Sequence, residues 1–198
     1  MRLELSPDSH WNVTTPELVP AACTAGFPSL GANADRVDDA YAAAEVRCHE
    51  VLALVVSDDD SATLTAAGQL AEAAQTIRAE WVLTVFSAVP RPDAIRRCAK
   101  VFDDVSTGMA VEFDPLGPVA TINDGMEVVR AARSGGRAGL LIDSWHFFGE
   151  STWDDLATVP STTSPTCSSL SPWSTAAGTV ASAQRSSAQI GVMLRSAS

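Results

Sequence analysis

The sequence predicts an α/β protein of the (β/α)8, TIM-barrel type, incomplete after about six β-α units and followed by an irregular C-terminal tail. Three observations predict it. Short, near-continuous apolar runs alternate with segments of helical period, as in a parallel sheet covered by helices. No glycine-rich phosphate loop follows the first run, so a nucleotide-binding open sheet has no support. Charged residues stand at the carboxyl ends of several runs, where barrel enzymes keep their chemistry. A full barrel takes about 250 residues; this chain has 198, so two strands are expected to be missing.

Leu3 to Leu5 reads as a first short strand, ending at the turn Ser6-Pro7-Asp8. Thr14-Thr15-Pro16-Glu17 opens a helix with a capping Thr, a Pro in the first turn and an acid near the positive end of the dipole; it stops at Gly26. Ser29 to Ala32 is a second strand and Asp38 to Glu45 a weak Ala-rich helix. Cys48 to Val56 is a buried third strand, closed by Asp58-Asp59-Asp60, a solvated turn. The next helix carries Leu64, Ala67, Leu70, Ala71, Ala74 and Ile77 on one stripe. Trp81 to Phe86 is a strand, Asp93 to Val105 a helix and Met109 to Phe113 the fifth strand. Asn123 is expected to cap a helix that ends at Gly135-Gly136. Ala138 to Ile142 is the sixth strand, and Ser151 with Asp154 resembles a capping box opening a last short helix.

All 24 acidic residues lie at or before Asp155, and after Pro160 only Arg185 and Arg195 are charged. Of those last 38 residues, 16 are Ser or Thr. Such a stretch cannot bury enough apolar area to offset its chain entropy. The chain therefore divides into residues 1–160, a partial barrel, and 161–198, a low-complexity tail. Regrouping the codons of Pro160 to Ser169 by one base turns Ser codons into apolar ones and Thr codons into polar ones. The shadow pattern runs apolar, polar, polar, apolar, small, polar, apolar, polar, apolar, as a seventh barrel strand would. The expectation is a frameshift near residue 160 that replaced strands seven and eight.

The formal net charge is −11, which argues against a nucleic-acid binder held by Lys and Arg on phosphates. No apolar run of about 18 residues exists to span a membrane, and the first residues lack a basic-then-apolar leader. Cys23, Cys48, Cys98 and Cys167 have no C-x-x-C spacing and read as reduced, structural thiols in a cytoplasmic setting.

The chemistry-bearing residues stand at two strand ends. Glu112 closes the fifth strand, and Asp143, Trp145 and His146 follow the sixth in Ile142-Asp143-Ser144-Trp145-His146-Phe147. This pairing resembles the xylose isomerase-like barrels: sugar phosphate isomerases and epimerases, related to zinc endonucleases of abasic DNA. The resemblance covers about residues 1 to 158. It implies a divalent cation (Mn, Mg or Zn) at the carboxyl mouth, with Glu112 and Asp143 as metal ligands. It also makes Glu112 and His146 catalytic residues, with His146 contacting substrate. The ligands of strands seven and eight have no counterpart here. Two further residues are candidate substrate contacts on position alone: Trp145 beside the Asp, and His10 just after the first strand. Carboxylates suit a hard divalent cation. Such a cation on two sugar oxygens stabilises the enediolate formed when a proton leaves the carbon beside the carbonyl, and a carboxylate can carry that proton.

Each of these residues also has a structural reading. Glu112 could be an ion-paired carboxylate inside the barrel, Asp143 a loop cap, His146 a hydrogen-bonded core residue and Trp145 packing. His49 and Glu50 begin the third strand and read as structural; Trp11, Phe147 and Phe148 read as packing. The function expected is metal-dependent proton transfer on a small sugar or sugar phosphate, impaired by the lost strands. The alternative is a non-catalytic barrel remnant or interaction protein, self-associating through open sheet edges. An endonuclease with three zinc ions would need many ligands, yet only His10, His49 and His146 exist.

Overall fold

The computed structural model describes residues 14–27, 29–33, 47–143, 146–147, 151–159 and 191–193. The predicted strand at Leu3 to Leu5 and helix at Asp38 to Glu45 lie outside them. In chain order the elements are α1 (Thr15–Thr24), β1 (Ser29–Asn33), β2 (Arg47–Val56), α2 (Asp60–Ile77), β3 (Trp81–Phe86) and α3 (Pro92–Asp103). Then come β4 (Gly108–Glu112), α4 (Ile122–Arg133), β5 (Ala138–Asp143), α5 (Trp153–Ala157) and β6 (Gly191–Met193). The sheet order is β1-β2-β3-β4-β5-β6, with the first five strands parallel and β6 antiparallel to β5. Consecutive parallel neighbours joined by helices are the repeating step of a β/α barrel wall.

The helix starts are locally encoded. Thr14 donates its backbone N–H to the Glu17 carboxylate at 3.0 Å, and Gly26 ends the first helix with φ +78°, a conformation open to glycine. The triple-Asp turn does more than meet solvent. Asp59 Oδ1 accepts the N–H groups of Ser61 and Ala62 and caps α2, while Asp60 pairs with Arg91 at 2.7 Å and ties α2 to the start of α3.

Two predicted caps move. The cap of α4 is Thr121, not Asn123: Asp124 donates its N–H to the Thr121 hydroxyl at 3.1 Å, and its carboxylate accepts the Thr121 N–H at 3.0 Å. That reciprocal pair satisfies two groups where a lone Asn satisfies one, and Asn123 becomes an ordinary helical residue. The last helix starts one residue later than predicted, on the box Thr152 with Asp155 rather than Ser151 with Asp154. Within the tail read as irregular, Gly191–Met193 adds a short strand to the outer edge of β5; an uncovered sheet edge is a template for any extended segment within reach.

The sheet has two differently packed faces. Val82, Met109, Val111, Leu140 and Ile142 join the helix residues Ala67, Leu70, Ile95, Cys98, Phe102, Met126 and Val129 in one large core. The alternate residues Trp81, Leu83, Ala110 and Leu141 form a separate small cluster, which places them on the face turned away from the helices. Side chains alternate along a strand. Glu112, two residues past Ala110, and Asp143, two past Leu141, therefore continue this inner row to the carboxyl end of the sheet.

Strand β2 breaks the alternation. Leu30 and Ala32 of β1 face Cys48 and Val51, so His49 and Glu50 oppose the single residue Gly31. The extra residue is a bulge, which re-aims side chains, and it puts two consecutive polar residues into the interior at 4% and 5% exposure. Cys48 and Cys98 are free and buried, and Cys23 is free and exposed. Burial pushes Cys48 up to about 12 and Cys98 to about 11, so both stay as unreactive thiols. Among the described residues no helix is long and apolar enough to cross a membrane.

Candidate active site at the carboxyl end of the sheet

Glu112 and Asp143 end adjacent parallel strands. Glu112 is the register partner of Leu141, and Asp143 lies two residues further along the same face. With strands about 4.8 Å apart and a rise of about 3.3 Å per residue, their Cα atoms stand about 8 Å apart, so the side chains reach a shared space. Both are shielded from water: the Glu112 side chain is 11% exposed and Asp143 4%. Burial raises the Glu112 carboxyl to about 8, and the charges of Asp143, Glu50 and Asp114 push it the same way. Glu112 therefore carries a proton at neutral pH when nothing positive shares the site.

His146 completes the cluster. Its backbone N–H donates to Asp143 Oδ1 at 3.4 Å, which ties His146 to the end of β5. Its Nδ1 lies 3.6 Å from Glu112 Oε1 and is buried without a hydrogen bond among the described residues. The Phe113 ring lies 6.3 Å from the imidazole. Phe113 itself is fully buried on the helix side, so it anchors the strand end from which Glu112 projects.

The structure thus brings together Glu112, Asp143 and His146. Trp145 and His10, read as substrate contacts, lie outside the described residues, as do Trp11 and Phe148. Phe147 is buried in the outer core and meets Trp153 with ring centroids 5.1 Å apart. Glu50 is the residue the sequence reading missed. It counts as a neighbour of Glu112 because its charge acts on that carboxyl, and its one sequence signal is a charge inside an otherwise apolar strand. His49, its neighbour, has Nδ1 3.7 Å from Glu80 Oε2, just before the amino end of β3.

Two neighbouring buried carboxylates, with the charge of Asp143 raising the proton affinity of Glu112, offer hard oxygen donors of the kind a divalent cation takes. No group of three His, Cys, Asp or Glu side chains that could hold a metal ion occurs among the described residues. Two carboxylates are fewer donors than a hard cation takes from its surroundings. A groove of about 690 Å³ between α2 and α3, lined by Asp60, Arg91, Asp93, Arg96 and Arg97, contains none of these residues. Its guanidinium groups are held by Asp60 and Asp93.

No protein-family model matches the sequence, and no curated protein matches it. Solved structures do match. A xylose isomerase domain containing protein from Salmonella typhimurium superimposes with TM-score 0.65 at 12% identity, covering 82% of this chain and 68% of that one. The chain has the xylose isomerase-like TIM-barrel fold. The IolI protein solved with a bound zinc atom gives TM-score 0.64 at 16% identity, covering 80% of this chain and 69% of its own. D-Psicose 3-epimerase from Clostridium cellulolyticum H10, solved with D-tagatose, gives 0.61 at 12%, covering 79% and 69%. This barrel chain thus spans a little over two thirds of the length of each, and the neighbours include sugar epimerases.

Proposed function

We propose that the chain is a sugar or sugar phosphate isomerase/epimerase-like protein whose half-site, Glu112 and Asp143, binds a divalent cation weakly and whose turnover is impaired. The observation that supports it best is the convergence of two buried carboxylates at the carboxyl end of adjacent parallel strands, on a fold shared with sugar epimerases. A bound Mn, Mg or Zn ion would polarise a sugar carbonyl and its neighbouring hydroxyl. The chain's own residues do the rest. Asp143 offers a carboxylate oxygen held by the His146 N–H. Glu112 holds a proton on its carboxyl, released when a cation takes its place. His146 presents Nδ1 beside Glu112, positioned to contact a substrate hydroxyl. Binding of Mn²⁺ with a dissociation constant in the millimolar range is expected by calorimetry, together with slow or absent exchange of the C3 proton of ketoses into D₂O. Turnover at ordinary enzyme rates, on the order of 10 s⁻¹, would refute the impairment. Absence of Mn²⁺ binding at pH 8 would refute the site.

The impairment is proposed to come from a frameshift near residue 160, supported by the loss of acidic residues after Asp155 and the strand-like shadow pattern of Pro160 to Ser169. Sequencing the gene is expected to find an alternative frame encoding roughly 80–100 further residues in a β-α-β pattern, the amount two barrel units need. A downstream frame interrupted by early stop codons would remove this explanation.

A further inference from the structure

We propose that β6 is a self-supplied edge cap: the carboxyl-terminal segment pairs in cis with the outer edge of β5 and keeps a second copy of the chain from pairing there. On its inner side β5 pairs with β4 through Ala138, Gly139, Leu140 and Leu141. Its outer side would otherwise present a row of unpaired N–H and C=O groups. With β6 in place all six residues of β5 are buried, so a backbone group left without a partner along that shielded strand would be costly. The strand also lacks the devices that keep an edge from pairing with other chains. Ala138-Gly139-Leu140-Leu141-Ile142 contains no Lys, no Pro and no charge before Asp143.

The β6 ladder meets this need over half the edge. Met193, Val192 and Gly191 face Leu141, Ile142 and Asp143 in antiparallel register. The carbonyl of Ala138 is taken by Arg133 Nε at 3.2 Å, which leaves Gly139 and Leu140 as the short uncovered stretch among the described residues. A strand from a second copy would have to start there and displace β6 to lengthen. The cap ends on Asp143, two residues past the register partner of Glu112, so it also holds the backbone of that strand end.

The test uses the full-length protein with Val192→Pro and Met193→Pro together. Successive N–H groups of a strand point to opposite sides, so one of the two prolines removes a ladder donor whichever way the register faces. The reference variant, Val192→Thr with Met193→Thr, keeps both N–H groups and the β propensity. The proline pair is expected to speed amide exchange within Leu141 to Asp143 at least tenfold and to convert a monomer into concentration-dependent oligomers by light scattering. The threonine pair is expected to match the parent chain. The proposal is overturned if the proline pair stays monomeric with unchanged exchange, or if the parent chain already assembles to the same extent. Assembly of the threonine pair would also overturn it, because backbone pairing would then not be the agent. Global unfolding of the proline pair by far-UV circular dichroism would count against it as well, since the cap is local.

Discussion

Replacing Glu112 with Gln is expected to abolish divalent-cation binding and to remove a pH dependence from the stability of the fold. In the parent chain the Glu112 carboxyl sits at about 8, well above the roughly 4.3 of a solvated glutamate. Between those values the folded state binds a proton that the unfolded state does not. Stability contributed by this group is therefore complete at low pH and is lost as pH rises through about 8. The loss at pH 9 is on the order of a few kcal/mol, because a tenfold difference in proton affinity between the folded and unfolded chain is worth about 1.4 kcal/mol. Glu112→Gln keeps the shape and drops the charge, so its urea midpoint is expected to stay level across pH 6 to 9 where that of the parent falls. The same proton competes with a cation. Mn²⁺ affinity in the parent chain is expected to rise about tenfold per pH unit up to pH 8 and then level off. A flat affinity profile, or equal slopes for parent and variant in the urea series, would contradict the protonated-Glu112 picture.

Phe113→Ala is expected to produce the largest loss of stability among single changes near the site, about 3–5 kcal/mol. Phe113 has 0% exposure and belongs to the large core between sheet and helices. Truncation leaves a cavity under the very end of the β4 segment, where backbone relaxation can close only part of it. The effect extends to the site, because the ring lies against His146 and the next residue back is Glu112. Mn²⁺ binding should therefore weaken together with the urea midpoint. Leu116→Ser, at a loop position 97% exposed, should change stability by no more than about 0.5 kcal/mol. A Phe113 variant as stable as the Leu116 variant would show that the core does not support the strand end as argued.

Much of this architecture could be read from the residues because the signals are local. The apolar runs at Trp81 to Phe86 and Ala138 to Ile142 became β3 and β5 within a residue, since a parallel strand buried on both faces needs little more than continuous apolar character. The position of Glu112 followed from the run Met109 to Phe113 and that of Asp143 from Ala138 to Ile142, because a strand's end and its period of two decide which face a residue takes. Glu50 could not be found this way. Its effect on Glu112 acts across three strands, from β2 to β4, a relation with no pattern within ten residues of sequence. The helix starts at Thr121 and Thr152 were missed by one or two places for a smaller reason. Asn123 is a good cap in isolation but lacks the reciprocal partner that Thr121 has in Asp124; Ser151 with Asp154 and Thr152 with Asp155 offer the same spacing, so sequence alone does not choose between them.

That reciprocal device has a wider meaning for how such a chain changes over generations. At Thr14 with Glu17, Thr121 with Asp124 and Thr152 with Asp155, the instruction to begin a helix is written inside four residues and owes nothing to the linker before it. Linkers at the carboxyl end of the sheet can therefore be lengthened, shortened or swapped while each helix still knows where to begin. The rim is free to drift, and the wall behind it stays in place.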